Sequence, residues 1–164
     1  MSDNSLSSYQ TFGNLTIPAA NEELISNVPV IVRKRVAFGD CDPAGIVYTP
    51  RFADYLIVAQ SWLREVLFDQ PLPVELPMRG MTLDFRLMMR AGDRFDMRCD
   101  VTEIRRRMFT IKIVGVGGDG LVTFVGTLSP IAYDQKRRCS VDLPKCLRDR
   151  LYQYQEICRA SEEA

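Results

Sequence analysis

The sequence predicts an α+β fold in which one antiparallel sheet wraps a single long helix, and three observations lead there. A helical period runs through residues 50–67, four strand-like alternations follow it, and turn signals rather than helical crossovers separate those alternations. With 164 residues, 46% apolar and 26% charged, the chain has enough to bury one core in one domain.

Residues 1–28 are rich in Ser, Asn and Pro with only a weak apolar repeat, and read as a loosely ordered extension before a domain of residues 29–160. From Val30 to Phe38, Val32, Lys34, Val36 and Phe38 alternate with Ile31, Arg33, Arg35 and Ala37, a strand whose inward face the pattern leaves open. The loop Gly39 to Gly45 follows. Thr49 then offers an N-cap hydroxyl and Pro50 a first helical residue whose missing N–H forfeits no helical bond, so a helix is expected to open there. Phe52, Tyr55, Leu56, Ala59, Trp62, Leu63, Val66 and Leu67 hold the helical period, and Ile57 and Val58 widen the stripe, as in a helix covered over much of its circumference. Three prolines between Asp69 and Pro77 end it.

The cleanest strand pattern follows, Met81, Leu83, Phe85, Leu87 and Met89 alternating with Thr82, Asp84, Arg86, Met88 and Arg90. Ala91-Gly92-Asp93 turns into Phe95 to Thr102, whose phase breaks around Glu103-Ile104, the mark of a bulge or strand end. Phe109, Ile111 and Ile113 reach the hairpin turn Gly117-Gly118-Asp119-Gly120, and Leu121 to Tyr133 returns as a longer apolar strand. Leu147, Leu151, Tyr154 and Cys158, opened by Asp142 and Pro144, predict a short amphipathic C-terminal helix.

Composition narrows the chemistry. The 21 basic and 21 acidic side chains cancel, which removes the electrostatic case for nucleic-acid binding. No histidine is present, so sites built on an imidazole base or ligand are excluded, from Ser-His-Asp triads to HExxH zinc centres. The five cysteines are odd in number and contain no CxxC, which fits reduced thiols in a cytoplasmic protein better than a disulfide framework. The first residues carry neither a basic nor an apolar targeting region and no run approaches a membrane span, so no membrane partner is expected.

The segment Phe38 to Pro50 concentrates the chemistry, placing Asp40 and Asp42 between a strand and a helix N-terminus. Unpaired N–H groups there can stabilise an oxyanion, so a neighbouring Asp42 would suit hydrolysis of an activated acyl group. The competing reading is that Asp42-Pro43 starts a turn and Asp40 satisfies loop amides. An EF-hand counted from Asp40 fails, with Ala44 at position 5 and Arg51 at position 12, and a DxD metal site lacks the accompanying phosphate-cradling loop, so no metal is expected. The methionines Met78, Met81, Met88, Met89, Met97 and Met108 suit core filling or an adaptable acyl pocket.

The block RVAFGDCDPAGIVYTPRFADYL resembles the active-site loop and central helix of hotdog-fold thioesterases of the 4-hydroxybenzoyl-CoA thioesterase type. The resemblance implies a hotdog fold from Val30 to Tyr133 and hydrolysis of an acyl-CoA thioester, with an aromatic acyl group such as benzoyl or hydroxybenzoyl favoured. It implies Asp42 as catalytic nucleophile or general base, the Thr49 N–H as oxyanion donor, and loop geometry set by Gly39, Pro43 and Gly45. Glu103 to Phe109 is similar to the family's basic stretch and implies that Arg105, Arg106 and Arg107 lie near the CoA phosphates, for which guanidinium groups are suited. In an extended strand Arg105 and Arg107 would share one face and Arg106 the other. A related subgroup uses a helix carboxylate, which keeps Glu65, and less so Asp54, as rivals. The resemblance further implies homodimers or homotetramers with the site between subunits and no cofactor beyond the substrate's own CoA. The alternative function is a non-catalytic acyl-CoA or aromatic-ligand binding protein on the same fold.

Overall fold

The computed structural model describes residues 22–68 and 70–162. Its first pair is antiparallel, β1 (Glu22–Asn27) with β2 (Val30–Arg35). Residues 22–27 therefore belong to the sheet rather than to the expected extension, whose residues 1–21 lie outside the described residues. The pattern concealed this strand because β1 is an edge, where only Leu24 supplies a partly buried apolar side chain and glutamates flank it. In β2 the open question of facing is answered: Val30, Val32 and the following Val36 are buried, so Lys34 shares their side.

The long helix α1 (Arg51–Leu67) buries Phe52, Tyr55, Leu56, Ala59 and Leu63, and packs against β2 and the strands that follow. Ile57 is exposed, so the stripe is narrower than the apolar count suggests. Those strands are β3 (Met78–Phe85), β4 (Arg94–Ile104), β5 (Phe109–Gly117) and β6 (Val122–Pro130). The sheet of six runs in the order β1-β2-β4-β5-β6-β3. β3 stops short of the alternation that predicts it. The Arg86 and Leu87 N–H groups both turn to the Thr123 carbonyl, which leads Leu87 and Met88 out of the ladder. The phase break in β4 is a bulge between Val101 and Glu103.

Two glycines make room on the sheet, one for the helix and one for a ring of the neighbouring strand. A Cβ on Gly126 would stand 2.7 Å from the Leu56 methyl carbons, and one on Gly115 would stand 2.3 Å from the Phe124 ring. A small hairpin, β7 (Tyr133–Asp134) with β8 (Cys139–Ser140), leads to α2 (Lys145–Glu162). This terminal helix is not short: its 18 residues exceed the 17 of α1. The expected stripe of Leu147, Leu151, Tyr154 and Cys158 is buried, and the helix packs on β4. The Tyr154 hydroxyl accepts the Val30 N–H at 2.8 Å and donates to the Cys99 carbonyl at 2.7 Å, bridging facing residues of β2 and β4.

Candidate active site

After β2 the chain makes a 3₁₀ turn, Phe38–Asp40, and doubles back as a narrow ribbon. Cys41 pairs with Val47, the Asp42 N–H reaches the Ile46 carbonyl at 2.9 Å, and the Tyr48 N–H reaches the Asp40 carbonyl at 2.8 Å. Gly45 closes the tip at φ +77, a left-handed conformation that suits glycine. Pro43 is exposed beside it, whereas Gly39 has neither a left-handed φ nor any atom within 4 Å of a Cβ placed on it. Of the glycines expected to shape the loop, Gly45 has the steric requirement and Gly39 does not.

The two aspartates do different work. The Asp42 Oδ1 accepts the Ala44 N–H at 2.8 Å and the Ile46 N–H at 3.4 Å, an Asx turn that holds the carboxylate on the ribbon. Its Oδ2 accepts no hydrogen bond among the described residues. The Asp40 Oδ2 accepts the Ala37 N–H at 3.1 Å and the Tyr55 O–H at 2.9 Å, while Oδ1 lies 3.6 Å from the Arg51 Nε. Burial, reinforced by the hydrogen bond to Asp40, drives the Tyr55 phenol well above its ordinary pKa.

The helix entry differs by one residue from the sequence expectation. Helical hydrogen bonding begins at Arg51, with Pro50 at the cap already in helical dihedrals (φ −60, ψ −23) and no side-chain cap. The N–H groups of Arg51, Phe52 and Ala53 turn back to the carbonyls of Tyr48, Thr49 and Pro50. Thr49 keeps an N–H without an acceptor among the described residues. It lines a cavity of about 220 Å³ whose other walls include Ile46, Val47, Phe52, Phe85 and Met89. Asp42 is outside that lining but pairs with Ile46 across the ribbon. By register Asp42 and Thr49 lie at opposite ends of the ribbon, ~10 Å apart at ~3.3 Å per residue.

The arginines occupy a turn, not an extended strand, so the expectation of alternating faces does not hold. The Arg105 N–H closes the β4–β5 connection on the Met108 carbonyl at 2.8 Å. Arg105 pairs with Glu103 at 2.7 Å, and Arg106 and Arg107 share Asp142 at 3.5 and 3.3 Å, all exposed. Sequence reasoning missed Arg79, whose Nη1 lies 3.6 Å from the Met108 Sδ and adds a guanidinium to this cluster. No local motif could find it, because only the β3–β6–β5 pairing brings it there.

Loop and arginine turn stand at opposite ends of β4. Arg94, at the start of β4, pairs with Arg35 beside the loop, and Ile104 ends the strand beside the arginines, a span of ~30 Å at ~3.3 Å per residue. The rival Glu65 is exposed near the far end of α1, ~24 Å along the axis from Thr49. Asp54 is exposed and paired with Arg51 at 3.0 Å. Of the methionines, Met89 and Met97 are buried while Met88 is exposed on the cavity wall. Among the described residues no helix is long and apolar enough to cross a membrane.

No protein-family model matches this sequence, and neither does any curated protein. Solved structures do match in shape. A thioesterase-superfamily protein from Jannaschia sp. CCS1 has a TM-score of 0.70 at 17% identity, covering 90% of this chain and 92% of that one. The 1,4-dihydroxy-2-naphthoyl-CoA thioesterase from Synechocystis gives 0.68 at 17% identity over 74% and 94%. An aspartate-to-asparagine mutant of 4-hydroxybenzoyl-CoA thioesterase, complexed with 4-hydroxybenzoyl-CoA, gives 0.65 at 20% identity over 78% and 96%. At these identities the likeness is one of fold: the six-stranded antiparallel sheet with a long helix packed against it is the hotdog fold of those thioesterases.

Proposed function

We propose that this protein is an acyl-CoA thioesterase whose catalytic carboxylate is Asp42 and whose oxyanion donor is the Thr49 N–H. One observation carries the reading: at an otherwise satisfied helix N-terminus, Thr49 keeps an N–H without an acceptor among the described residues on the wall of an apolar cavity, and the ribbon that leads to it carries an aspartate with an open oxygen. An N–H held by the backbone needs no reorganisation to meet charge developing on a thioester oxygen. The Asp42 Oδ2 either attacks the carbonyl carbon, giving an anhydride that water then opens, or takes a proton from the attacking water. In both routes the C–S bond breaks, CoA leaves as thiolate and is protonated, and the acyl group departs as the free acid. The cavity walls, with Phe52 and Phe85 ring to ring at 4.8 Å, support an aromatic acyl group.

The phosphates of that CoA are assigned to Arg105, Arg106 and Arg107, with Arg79 beside them, on a second subunit. The ~30 Å between loop and arginine turn argues against one chain serving both ends of the substrate. β3 is a sheet edge on which Met81 and Phe85 are exposed, with exposed Leu87 and Met88 just beyond its end. Antiparallel pairing of β3 with its copy about a two-fold axis would set the partner subunit's Arg79 end against this chain's Met88 end, beside the cavity. A homodimer, or a homotetramer built from two of them, is the assembly that follows.

Release of CoA thiol from a panel of aromatic and aliphatic acyl-CoA thioesters tests the reading. Wild type is expected to turn over aromatic members fastest, and Asp42→Asn to lose about 10²–10⁴ in kcat while still binding substrate. Saturable binding with no turnover in wild type would leave a ligand-binding protein in place of an enzyme. Full activity in Asp42→Asn would remove Asp42 from the mechanism.

A further inference from the structure

We infer that Tyr55 and Asp40 form a positioning pair that fixes the ribbon carrying Asp42 and Thr49, so that the catalytic spacing is set from inside the core. The inference rests on the reading of Asp42 and Thr49 just given, and the pair itself is placed against neither substrate nor cavity. Asp40 is the joint of the ribbon. Its carboxylate holds the incoming arm through the Ala37 N–H, its carbonyl holds the outgoing arm through the Tyr48 N–H, and its Oδ2 is tied to α1 by the Tyr55 hydroxyl at 2.9 Å. Each bond lies one or two residues from the catalytic positions. Without the tether to Tyr55, the ribbon keeps its internal bonds but loses its side-chain hydrogen bond to the helix.

Tyr55 is itself buried among rings of the core. It is 1% exposed, its ring stands 5.7 Å from Phe52 and 5.2 Å from Phe95, and the Lys34 ammonium lies 5.5 Å from its centroid. Lys34 is in turn paired with Glu22 at 3.3 Å. Phe52, the ring at its edge, is a wall of the cavity. Tyr55 thus links Phe52 on the cavity wall to the loop, and its hydroxyl turns core packing into loop register. Arg51, 3.6 Å from the Asp40 Oδ1, adds a more exposed second tie from the same helix.

Tyr55→Phe keeps the ring and removes only the oxygen. Expected is a loss of about ten- to a hundredfold in kcat, the scale of a small misplacement at a reacting centre, with KM little changed. In an Asp42→Asn background the same substitution is expected to add no further loss, since its effect passes through Asp42. Amide hydrogen exchange over residues 37–48 is expected to quicken in substrate-free Tyr55→Phe, and Asp40→Asn serves as the second variant. Unchanged exchange in both variants overturns the inference whatever the activity does. Quickened exchange with kcat unchanged, or a further loss in the Asp42→Asn background, also overturns it. If wild type hydrolyses no thioester in the panel, the functional reading has failed on its own and exchange alone decides whether the pair holds the loop.

Discussion

Two oxygens of one carboxylate show how much the residue scale decides. The Asp42 Oδ1 is committed to the Ala44 and Ile46 amides and its Oδ2 is open, so the turn-forming and catalytic readings of this aspartate are compatible. Buried acids make a separate prediction. Burial pushes the Cys99 thiol up to about 12, and burial is also the largest cause lifting the Tyr55 and Tyr154 phenols. Each group stays protonated in the native state at pH values where the unfolded chain's ionises, so the unfolded state binds fewer protons there. Stability is therefore whole below pH 9 and declines as pH climbs toward 12, each group contributing up to ~1.4 kcal/mol per pH unit once its unfolded counterpart is ionised. Urea midpoints at pH 8 and pH 10.5 check this; equal midpoints would mean that these side chains are not sequestered.

At the scale of elements, apolar period located α1 well and its partners less well. Strand β3 ends at Phe85 although the alternation continues to Arg90, because hydrogen bonds to Thr123 rather than side-chain pattern set its end. Helix α2 reaches beyond the span of its apolar stripe, and its role depends on a contact no period encodes. The Tyr154 hydroxyl completes the Val30 N–H and the Cys99 carbonyl at the junction of β2 and β4. Tyr154→Phe would leave both backbone groups buried without that partner, at a cost of ~1–3 kcal/mol. Urea denaturation should show the loss as a lowered midpoint with an unchanged m-value. A midpoint equal to wild type would mean that water replaces the hydroxyl.

At the scale of the whole molecule, β3 is an edge of the described sheet and the two ends of the proposed substrate site lie far apart, and pairing along β3 would answer both conditions. Met81 is 39% exposed on that edge. A Met81→Lys substitution places a charge there without touching Asp42, Thr49 or the arginines. The expected result by light scattering is a shift from dimer or tetramer toward monomer. In the same variant KM should rise for acyl-CoA, while the corresponding pantetheine thioester, which lacks the phosphates, changes little. A wild-type monomer with full activity would exclude the arrangement.

What the sequence by itself determined is local: the period of α1, the presence of four strands after it and the β4-β5-β6 meander among them, the Asx turn at Asp42-Pro43 and the glycine at the left-handed tip. Such features arise from contacts between near neighbours, which periodicity and turn chemistry encode directly. That β3 leaves the expected meander to pair with β6 was not local. Tertiary structure alone decided that residues 22–27 form an edge strand, that the Thr49 N–H is the one left over at the helix entry, and that Arg79 stands beside Met108. It alone set Asp42 and the three arginines at opposite ends of β4 and tied Asp40 to Tyr55. Each of those outcomes depends on which distant strand or helix supplies a hydrogen-bond partner, and an apolar pattern names the face that is buried but not the element that buries it.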